Sequence, residues 1–169
     1  ALPYEKPFLF VDEIVHLDES GIEGNYRFKE DEYFYQGHFK NYPVTPGVIL
    51  TECMAQIGLV CLGVYLVKGL RQAQPDRQHN PNASHPEPVE GHPAASDLGR
   101  EPVEGLSIAL TESHVNFLKP VFPGEQVRVV SKKKYFRLGK LKCAVEMFNE
   151  KGEKVSYGEL SGIVDSAYL

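Results

Sequence analysis

Apolar and polar residues alternate with a period of two near the start of the chain, which predicts strands. Every second residue from Ile22 to Phe28 is apolar or glycine, and the residues between them are polar or charged. This period places one set of side chains on each face of a sheet. A mostly apolar run at residues 9–15 comes before it, and the turn-like residues 18–21 separate the two. The pattern therefore predicts a β-hairpin with one wet face.

A long, almost wholly apolar helix is predicted from Gly47 to about residue 68. Thr45 is a good N-cap residue, and Pro46 fits the first helical position, where a missing N–H costs nothing. Before position 65 the polar residues of this helix are Thr51, Glu52 and Gln56. A helix that is apolar on all sides has to be surrounded by protein. In a domain of this size, a curved sheet wrapped around the helix would surround it.

Further strands are predicted downstream of this helix. Apolar residues alternate at 106–111, and an apolar stretch follows at 115–121. Three longer period-two stretches, at 126–136, 140–148 and 154–164, are separated by glycine-containing turns. The chain as a whole predicts an α+β fold, in which an antiparallel sheet of about five to seven strands wraps around a long central helix.

Residues 71–104 differ from both patterns. They include no aromatic residue and six of the twelve prolines, and Glu-Pro-Val-Glu-Gly occurs at 87–91 and again at 101–105. So few apolar residues cannot offset the entropy of ordering, and structureless loops of this length are uncommon inside compact domains. We therefore predict one domain, residues 1–169, with an inserted low-complexity loop at about 71–104. The three histidines of the loop are irregularly spaced, so no metal site is predicted there.

Composition and charge narrow the function. The 169 residues are 42% hydrophobic and 24% charged, which is ordinary for a globular domain. The net charge of -5 disfavours a nucleic-acid binder, because binding phosphates needs a basic excess. Three unpaired cysteines predict reduced, buried thiols in a cytoplasmic protein. No signal peptide is expected, and the longest apolar run, residues 53–67, is shorter than the ~20 residues that a membrane span needs.

The best candidate chemistry lies between residues 36 and 56. His38 follows Gly37 in a predicted loop, and histidine is the usual proton acceptor near neutral pH. Glu52 interrupts the apolar helix, where a carboxylic acid could donate a proton. The helix start between them could offer N–H groups to an oxyanion. The same residues also fit a packing role, with His38 beside aromatic residues and Glu52 bonded to Gln56 one turn later, and both interpretations stay open from the residues alone.

Several short motifs occur in a fixed order along the chain. They are Pro-Phe-Leu-Phe-Val-Asp at 7–12, Gly-His-Phe at 37–39, Pro-Val-Thr-Pro-Gly-Val at 43–48, Glu-Cys-Met-Ala-Gln at 52–56 and Phe-Leu-Lys-Pro-Val-Phe-Pro-Gly-Glu at 117–125. Through them the chain resembles the hotdog-fold 3-hydroxyacyl-acyl-carrier-protein dehydratases of type II fatty acid synthesis. The step of 14 residues from His38 to Glu52 (52 − 38) is that family's step as well. Apart from the insertion, the resemblance runs from about residue 3 to residue 164.

The resemblance implies a homodimer with its active sites at the subunit interface, where His38 of one subunit faces Glu52 of the other. His38 would remove the C2 proton of a 3-hydroxyacyl thioester. Glu52 would protonate the departing C3 hydroxyl, and a trans-2-enoyl thioester would result. The N–H of Gly47 would bind the thioester carbonyl, and the carbonyl of Val44 would orient the imidazole.

The resemblance also bears on substrate binding and partners. It implies that Gln56 and Phe39 contribute to substrate binding, that acyl carrier protein delivers the substrate, and that no cofactor or metal is needed. Assembly of the homodimers into a trimer of dimers is compatible with it. A basic cluster could dock the acidic carrier or simply form a solvated strand face. The basic cluster consists of Arg128, Lys132, Lys133, Lys134, Arg137, Lys140 and Lys142.

Two residues depart from the family pattern close to the candidate chemistry. Lys40 stands where the family usually has proline, and Thr45 stands where it usually has methionine. These changes leave the acyl length and the pathway open, either housekeeping or specialised. Two alternatives to a dehydratase also stay open. One is a hotdog acyl thioesterase, which the Gly-His-Phe turn disfavours, and the other is a non-catalytic acyl-binding hotdog subunit.

Overall fold

The computed structural model describes residues 2–39, 41–73 and 108–164. Within these residues one sheet has six strands, and every pair of neighbours is antiparallel. The order across the sheet is β1-β2-β4-β5-β6-β3. The strands are β1 (Glu13–Leu17), β2 (Gly21–Arg27), β3 (Ile108–Phe117), β4 (Gln126–Arg137), β5 (Lys140–Asn149) and β6 (Lys154–Val164). The predicted β1–β2 hairpin and the predicted antiparallel sheet are confirmed.

The helix runs without a break through three segments. They are α1 (Gly47–Ala55), a π-helical segment (Gln56–Cys61) and α2 (Leu62–Ala73). The predicted N-cap was wrong by one residue, because Pro46 occupies that position and makes no side-chain cap bond. The Thr45 hydroxyl instead hydrogen-bonds the Tyr35 hydroxyl at 2.6 Å. The first residues of the predicted insertion belong to α2, and the rest of it, residues 74–104, lies outside the described residues.

The helix forms the centre of the core, as its apolar composition predicts. Every residue of the π-helical segment is buried. The inner faces of β4 and β5 pack around it with fully buried residues. These include Val127, Val129, Leu141, Cys143, Val145 and Met147. The stretch Gly47–Gly69 is long and apolar enough to cross a bilayer by composition, but 78% of its most apolar window is buried inside the protein, as in a core helix.

Ser131 on β4 accounts for part of the π-helical geometry. Its buried hydroxyl donates a 2.7 Å hydrogen bond to the backbone carbonyl of Gly58. A π-type register removes the usual i→i−4 hydrogen bond from some carbonyls, so an outside donor stabilises it. A Cβ atom at Gly58 would lie 3.0 Å from Ser131 and 3.0 Å from Val145, so glycine allows the helix to approach the sheet closely.

Strand β3 is one edge of the sheet and is unusually exposed. Its residues from Ala109 to His114 are all exposed, and Phe117 at its end is 50% exposed. It pairs with β6 on one side, and within the described residues no strand covers its other side. An open edge that carries apolar side chains is a surface on which another chain can pair.

Gly158 on β6 allows β3 to lie close, and we expect Gly158→Ala to loosen that pairing. An added Cβ would collide with the backbone carbonyl of His114, which cannot move unless β3 shifts. We expect the free energy of unfolding to fall by about 2 kcal/mol and the melting temperature by about 4–8 °C, measured by thermal denaturation. Gly69→Ala is the matched control, because a Cβ there meets nothing within 4 Å. An unchanged melting temperature in Gly158→Ala would contradict this expectation, since β3 could then move away from β6 at no cost.

Candidate active site

His38 lies in the loop after a short 3₁₀ turn, Tyr33–Gln36. The imidazole is half-buried, and its Nδ1 lies 2.8 Å from the Val44 carbonyl oxygen. A carbonyl can only accept, so Nδ1 is the donor in this contact, and in the neutral imidazole Nε2 is then the nitrogen with the lone pair. The backbone N–H of His38 is also held, because it donates to the Phe34 carbonyl at 3.0 Å. The Val44 contact implied by the resemblance is therefore present, and it leaves Nε2 as the basic atom.

Phe39 gives this loop a strained backbone. Its φ is 56°, in the left-handed region that residues with bulky side chains rarely adopt. Its ring lies 4.3 Å from the His38 ring, centroid to centroid, and is 61% exposed. Strain of this kind costs about 1–3 kcal/mol and is concentrated at functional sites. Phe39 thus lies beside the imidazole, with more than half of its surface exposed.

A cavity of about 420 Å³ brings His38 together with the start of the helix. The walls come from the His38 loop, the first turn of α1 and the chain that follows β3. The lining residues are His38, Phe39, Val44, Thr45, Gly47, Leu50, Phe117, Leu118, Lys119 and Pro120. Four of the six predicted site residues, His38, Phe39, Val44 and Gly47, therefore share one cavity.

The start of the helix offers backbone N–H donors beside this cavity. The Ile49 and Leu50 N–H groups bond the Pro46 carbonyl, at 2.9 and 3.0 Å. The N–H groups of Gly47 and Val48 come before these bonds, so they have no acceptor within the helix. Such N–H groups and the positive end of the helix dipole favour a negatively charged oxygen. A Cβ at Gly47 would lie 3.1 Å from the Phe117 ring, so glycine lets that ring close one side of the cavity.

Glu52 does not line this cavity. It lies five residues after Gly47, and at about 100° per residue its side chain is turned about 140° away from the Gly47 direction. Its Oε1 accepts a 2.9 Å hydrogen bond from Gln56 Nε2. Among the described residues of one chain, no hydrogen bond joins Glu52 to His38. Val48, one turn before Glu52 on the same face, is 77% exposed, so this part of the helix surface is open.

Gln56 also lies away from the cavity. Its side chain is completely buried. Its Oε1 accepts from the Phe10 N–H at 2.8 Å, and its Nε2 donates to the Phe8 carbonyl at 2.9 Å as well as to Glu52. The predicted neighbourhood of Glu52 and Gln56 is therefore present, and Gln56 contacts the N-terminal segment rather than the cavity. A role in direct substrate contact stays a prediction for Gln56.

Tyr4 is a further neighbour of Glu52. Burial, and after it the negative charge of Glu52, raises the pKa of the Tyr4 phenol to about 12. Tyr4 was not predicted as a neighbour of Glu52, because a lone tyrosine before the first strand belongs to no motif. The cavity is also lined by Phe117, Leu118 and Lys119. They belong to one of the motifs that carry the resemblance, but these residue types are common at strand ends, so their place in the cavity was not predicted.

The cysteines provide no competing chemistry. Cys53, Cys61 and Cys143 are all free thiols and buried, as predicted. Burial raises the pKa of Cys61 and of Cys143 to about 11, and it raises the pKa of Cys53 further. A thiol with a raised pKa is a poor nucleophile. In the part of the chain that the structure describes, no group of three or more His, Cys, Asp or Glu residues is placed to hold a metal ion.

Comparison with known proteins places the chain in a family. Residues 2–86 match the FabA-like domain family, and this match covers half of the chain. The protein belongs to the FabA-like domain family. The 3-hydroxyacyl-[acyl-carrier-protein] dehydratase FabZ of Petrotoga mobilis is 47% identical over 62 residues, which are 36% of this chain and 45% of that protein. The FabZ dehydratase of Acinetobacter baylyi is 46% identical over 56 residues, 33% of this chain and 38% of that protein. The matches thus span less than half of the curated relatives' length.

Solved structures agree on the fold. The dehydratase heterocomplex ApeI:P from Xenorhabdus doucetiae matches with a TM-score of 0.64 and 12% identity, over 96% of this chain and 86% of that chain. A hypothetical thioesterase with coenzyme A from Streptococcus pneumoniae TIGR4 matches with a TM-score of 0.54 and 14% identity, over 90% and 84% of the two chains. At these identities the likeness concerns the fold alone. The predicted α+β hotdog fold is confirmed.

Proposed function

We propose that this protein dehydrates 3-hydroxyacyl-acyl-carrier-protein thioesters to trans-2-enoyl thioesters, in fatty acid or related acyl-chain biosynthesis. The observation that carries the proposal is the state of His38. Its Nδ1 is held by Val44, no other hydrogen bond to its ring comes from the described residues, and it shares a cavity with the first turn of α1, where the Gly47 N–H has no acceptor within the helix. A base beside an oxyanion site is what removal of a proton next to a thioester carbonyl requires.

The reaction balances with two side chains and no cofactor. The thioester carbonyl oxygen accepts from the Gly47 N–H, which stabilises the charge that develops when the C2–H bond breaks. His38 Nε2 takes the C2 proton, and the electron pair forms the C2=C3 bond. The C3–O bond breaks as Glu52 of the partner subunit gives a proton to the departing hydroxyl, which leaves as water. His38 then holds one extra proton and the glutamate lacks one, so proton return between them resets the site.

A homodimer is proposed because one chain does not complete the site. Glu52 is turned away from its own cavity, while Val48 on its face and Phe117 beside the cavity are exposed by 77% and 50%. A second copy that paired along β3 would cover these apolar side chains and bring its Glu52 toward His38. Further assembly to a trimer of dimers and a cytoplasmic location stay predictions.

Acyl carrier protein is proposed as the partner that delivers the substrate, and the basic cluster is its candidate dock. Lys134 and Lys142 pair with Glu159, so part of the cluster is neutralised by the chain itself. None of the residues that line the cavity belongs to the basic cluster, so the cluster and the cavity are separate parts of the surface. Lys40, which departs from the family pattern, lies outside the described residues, so its effect on acyl length stays a prediction.

One assay separates the candidate functions. The protein is incubated with a 3-hydroxyacyl carrier-protein thioester, and enoyl product and free thiol are measured together. We expect enoyl thioester without thiol release. Thiol release would instead favour a hotdog thioesterase, and binding without either product would favour a non-catalytic acyl-binding subunit. The coenzyme A thioester, run in parallel, shows how far turnover depends on the carrier.

A further inference from the structure

Gln56 is arranged to act on Glu52, and it also contacts the N-terminal strap, by which we mean residues 2–10. We propose that Gln56 is a positioning residue, which fixes the Glu52 carboxylate by tying it to the backbone of this strap. The inference rests on the proposed function, since it concerns the acid of that reaction. Three hydrogen bonds carry it: Gln56 donates to the Phe8 carbonyl and to Glu52, and it accepts from the Phe10 N–H.

The orientation of the Gln56 amide is forced by its surroundings. The Phe10 N–H can only donate, so the atom that faces it must be the amide oxygen. The Phe8 carbonyl can only accept, so the atom that faces it must be the amide nitrogen. The second hydrogen of that nitrogen then points to Glu52 Oε1 at 2.9 Å. The backbone of the strap thus decides that Glu52 meets a donor and not an acceptor.

This arrangement distinguishes the two oxygens of Glu52. Oε1 is engaged by Gln56, so Oε2 is the oxygen left to carry and deliver the proton in the proposed reaction. A carboxylic acid held through one oxygen loses the rotation about its last bond, which would otherwise spread the proton over many directions. Gln56 is 0% exposed, so water does not compete for these hydrogen bonds.

The strap is itself anchored along the helix. Leu2 and Tyr4 pack against a cluster that includes Val60 and Val64. Phe8 and Phe10 contact the helix at Gln56, and Leu2 and Tyr4 pack against the cluster farther along it, so the strap follows the helix from Gln56 onward. The Phe8 and Phe10 rings add an edge-to-face contact at 5.2 Å. The influence of the Glu52 charge on Tyr4 agrees with a strap that reaches the acid. Gln56 therefore connects Glu52 to a segment with its own packing.

The test compares Gln56→Met with Ser131→Ala in the full-length protein. Methionine keeps the volume of Gln56 but removes the donor and the acceptor. Ser131→Ala removes another buried hydrogen bond to the same π-helical segment, without touching Glu52. We expect Gln56→Met to lower kcat about 10–100-fold with KM changed by less than about twofold, because a misplaced acid mainly slows the chemical step. Ser131→Ala should lower the melting temperature and keep kcat within about twofold.

A double-mutant cycle with Glu52→Gln distinguishes positioning from general damage. If Gln56 acts through Glu52, Gln56→Met should change kcat by less than about twofold in the Glu52→Gln background. A further 10-fold loss in that background, or an equal loss in Ser131→Ala, would overturn the inference. If Gln56→Met does not fold, Gln56→Asn takes its place, since its amide is one methylene too short to reach the strap and Glu52 together.

A second readout does not depend on activity. With ¹³C-labelled glutamate, the carboxyl resonance of Glu52 is assigned by its absence in Glu52→Gln. We expect this resonance to shift in Gln56→Met and to stay in place in Ser131→Ala. An unmoved resonance in Gln56→Met overturns the positioning role. A moved resonance in a protein that does not dehydrate any 3-hydroxyacyl thioester supports the positioning role and overturns the proposed function instead.

Discussion

His38→Ala is expected to lower kcat for dehydration about 10²–10⁴-fold, because it removes the base that takes the C2 proton. The substitution leaves a half-buried space beside Phe39 and breaks one hydrogen bond to the Val44 carbonyl, so the fold should persist. Glu52→Gln is expected to cause a loss of the same order. Its amide keeps an oxygen for Gln56 but has no acidic proton to give. Both values are measured as steady-state kcat with a 3-hydroxyacyl carrier-protein substrate.

His16→Ala is the matched control for His38→Ala. His16 is an exposed histidine that bonds Asp18 at 2.9 Å, on the β1–β2 hairpin and outside the cavity. The kcat of the His16→Ala variant should stay within about twofold of that of the unmodified protein, as is usual for surface substitutions. Melting curves show whether each variant is folded. Full activity in folded His38→Ala or in folded Glu52→Gln would show that the roles are assigned wrongly.

The fold was largely predictable because its main signals are local. Period-two alternation fixes which face of β2 is buried, and the all-round apolar helix requires a wrapping sheet. The π-helical segment was not predictable, since it depends on a hydroxyl that Ser131 supplies from a strand about 70 residues later. The helix cap was misplaced for a related reason, because the Thr45 hydroxyl bonds Tyr35 rather than the first turn.

The candidate site was predictable where one short segment supplies it. The Gly-His-Phe turn and the helix start are close in sequence and share a cavity in the structure. Phe117 was not predicted to contact Gly47, because an aromatic residue at the end of a strand has no signal of its own. The helix period places Gln56 beside Glu52, but only the fold reveals that Phe8 and Phe10 take the rest of its amide.

Mixed dimers of His38→Ala and Glu52→Gln subunits are expected to regain activity that neither variant has alone. In a twofold dimer each site would take His38 from one subunit and Glu52 from the other. In the mixed dimer one site then carries both substitutions and the other carries neither. A purified heterodimer should show about half of the unmodified activity, and random mixing should give about one quarter, since about half of the dimers are then mixed. Two affinity tags allow the heterodimer to be purified and its kcat measured.

The mixed dimer separates the proposed arrangement from a site within one chain. If His38 and Glu52 of the same subunit acted together, each subunit of the heterodimer would lack one of them, and no site would be intact. The control is a dimer of two differently tagged His38→Ala subunits, which should stay inactive under either arrangement. An inactive heterodimer that is folded and stable would therefore contradict catalysis across the interface. Half activity would require Glu52 to act in the partner's cavity, as expected from its turn of about 140° away from Gly47.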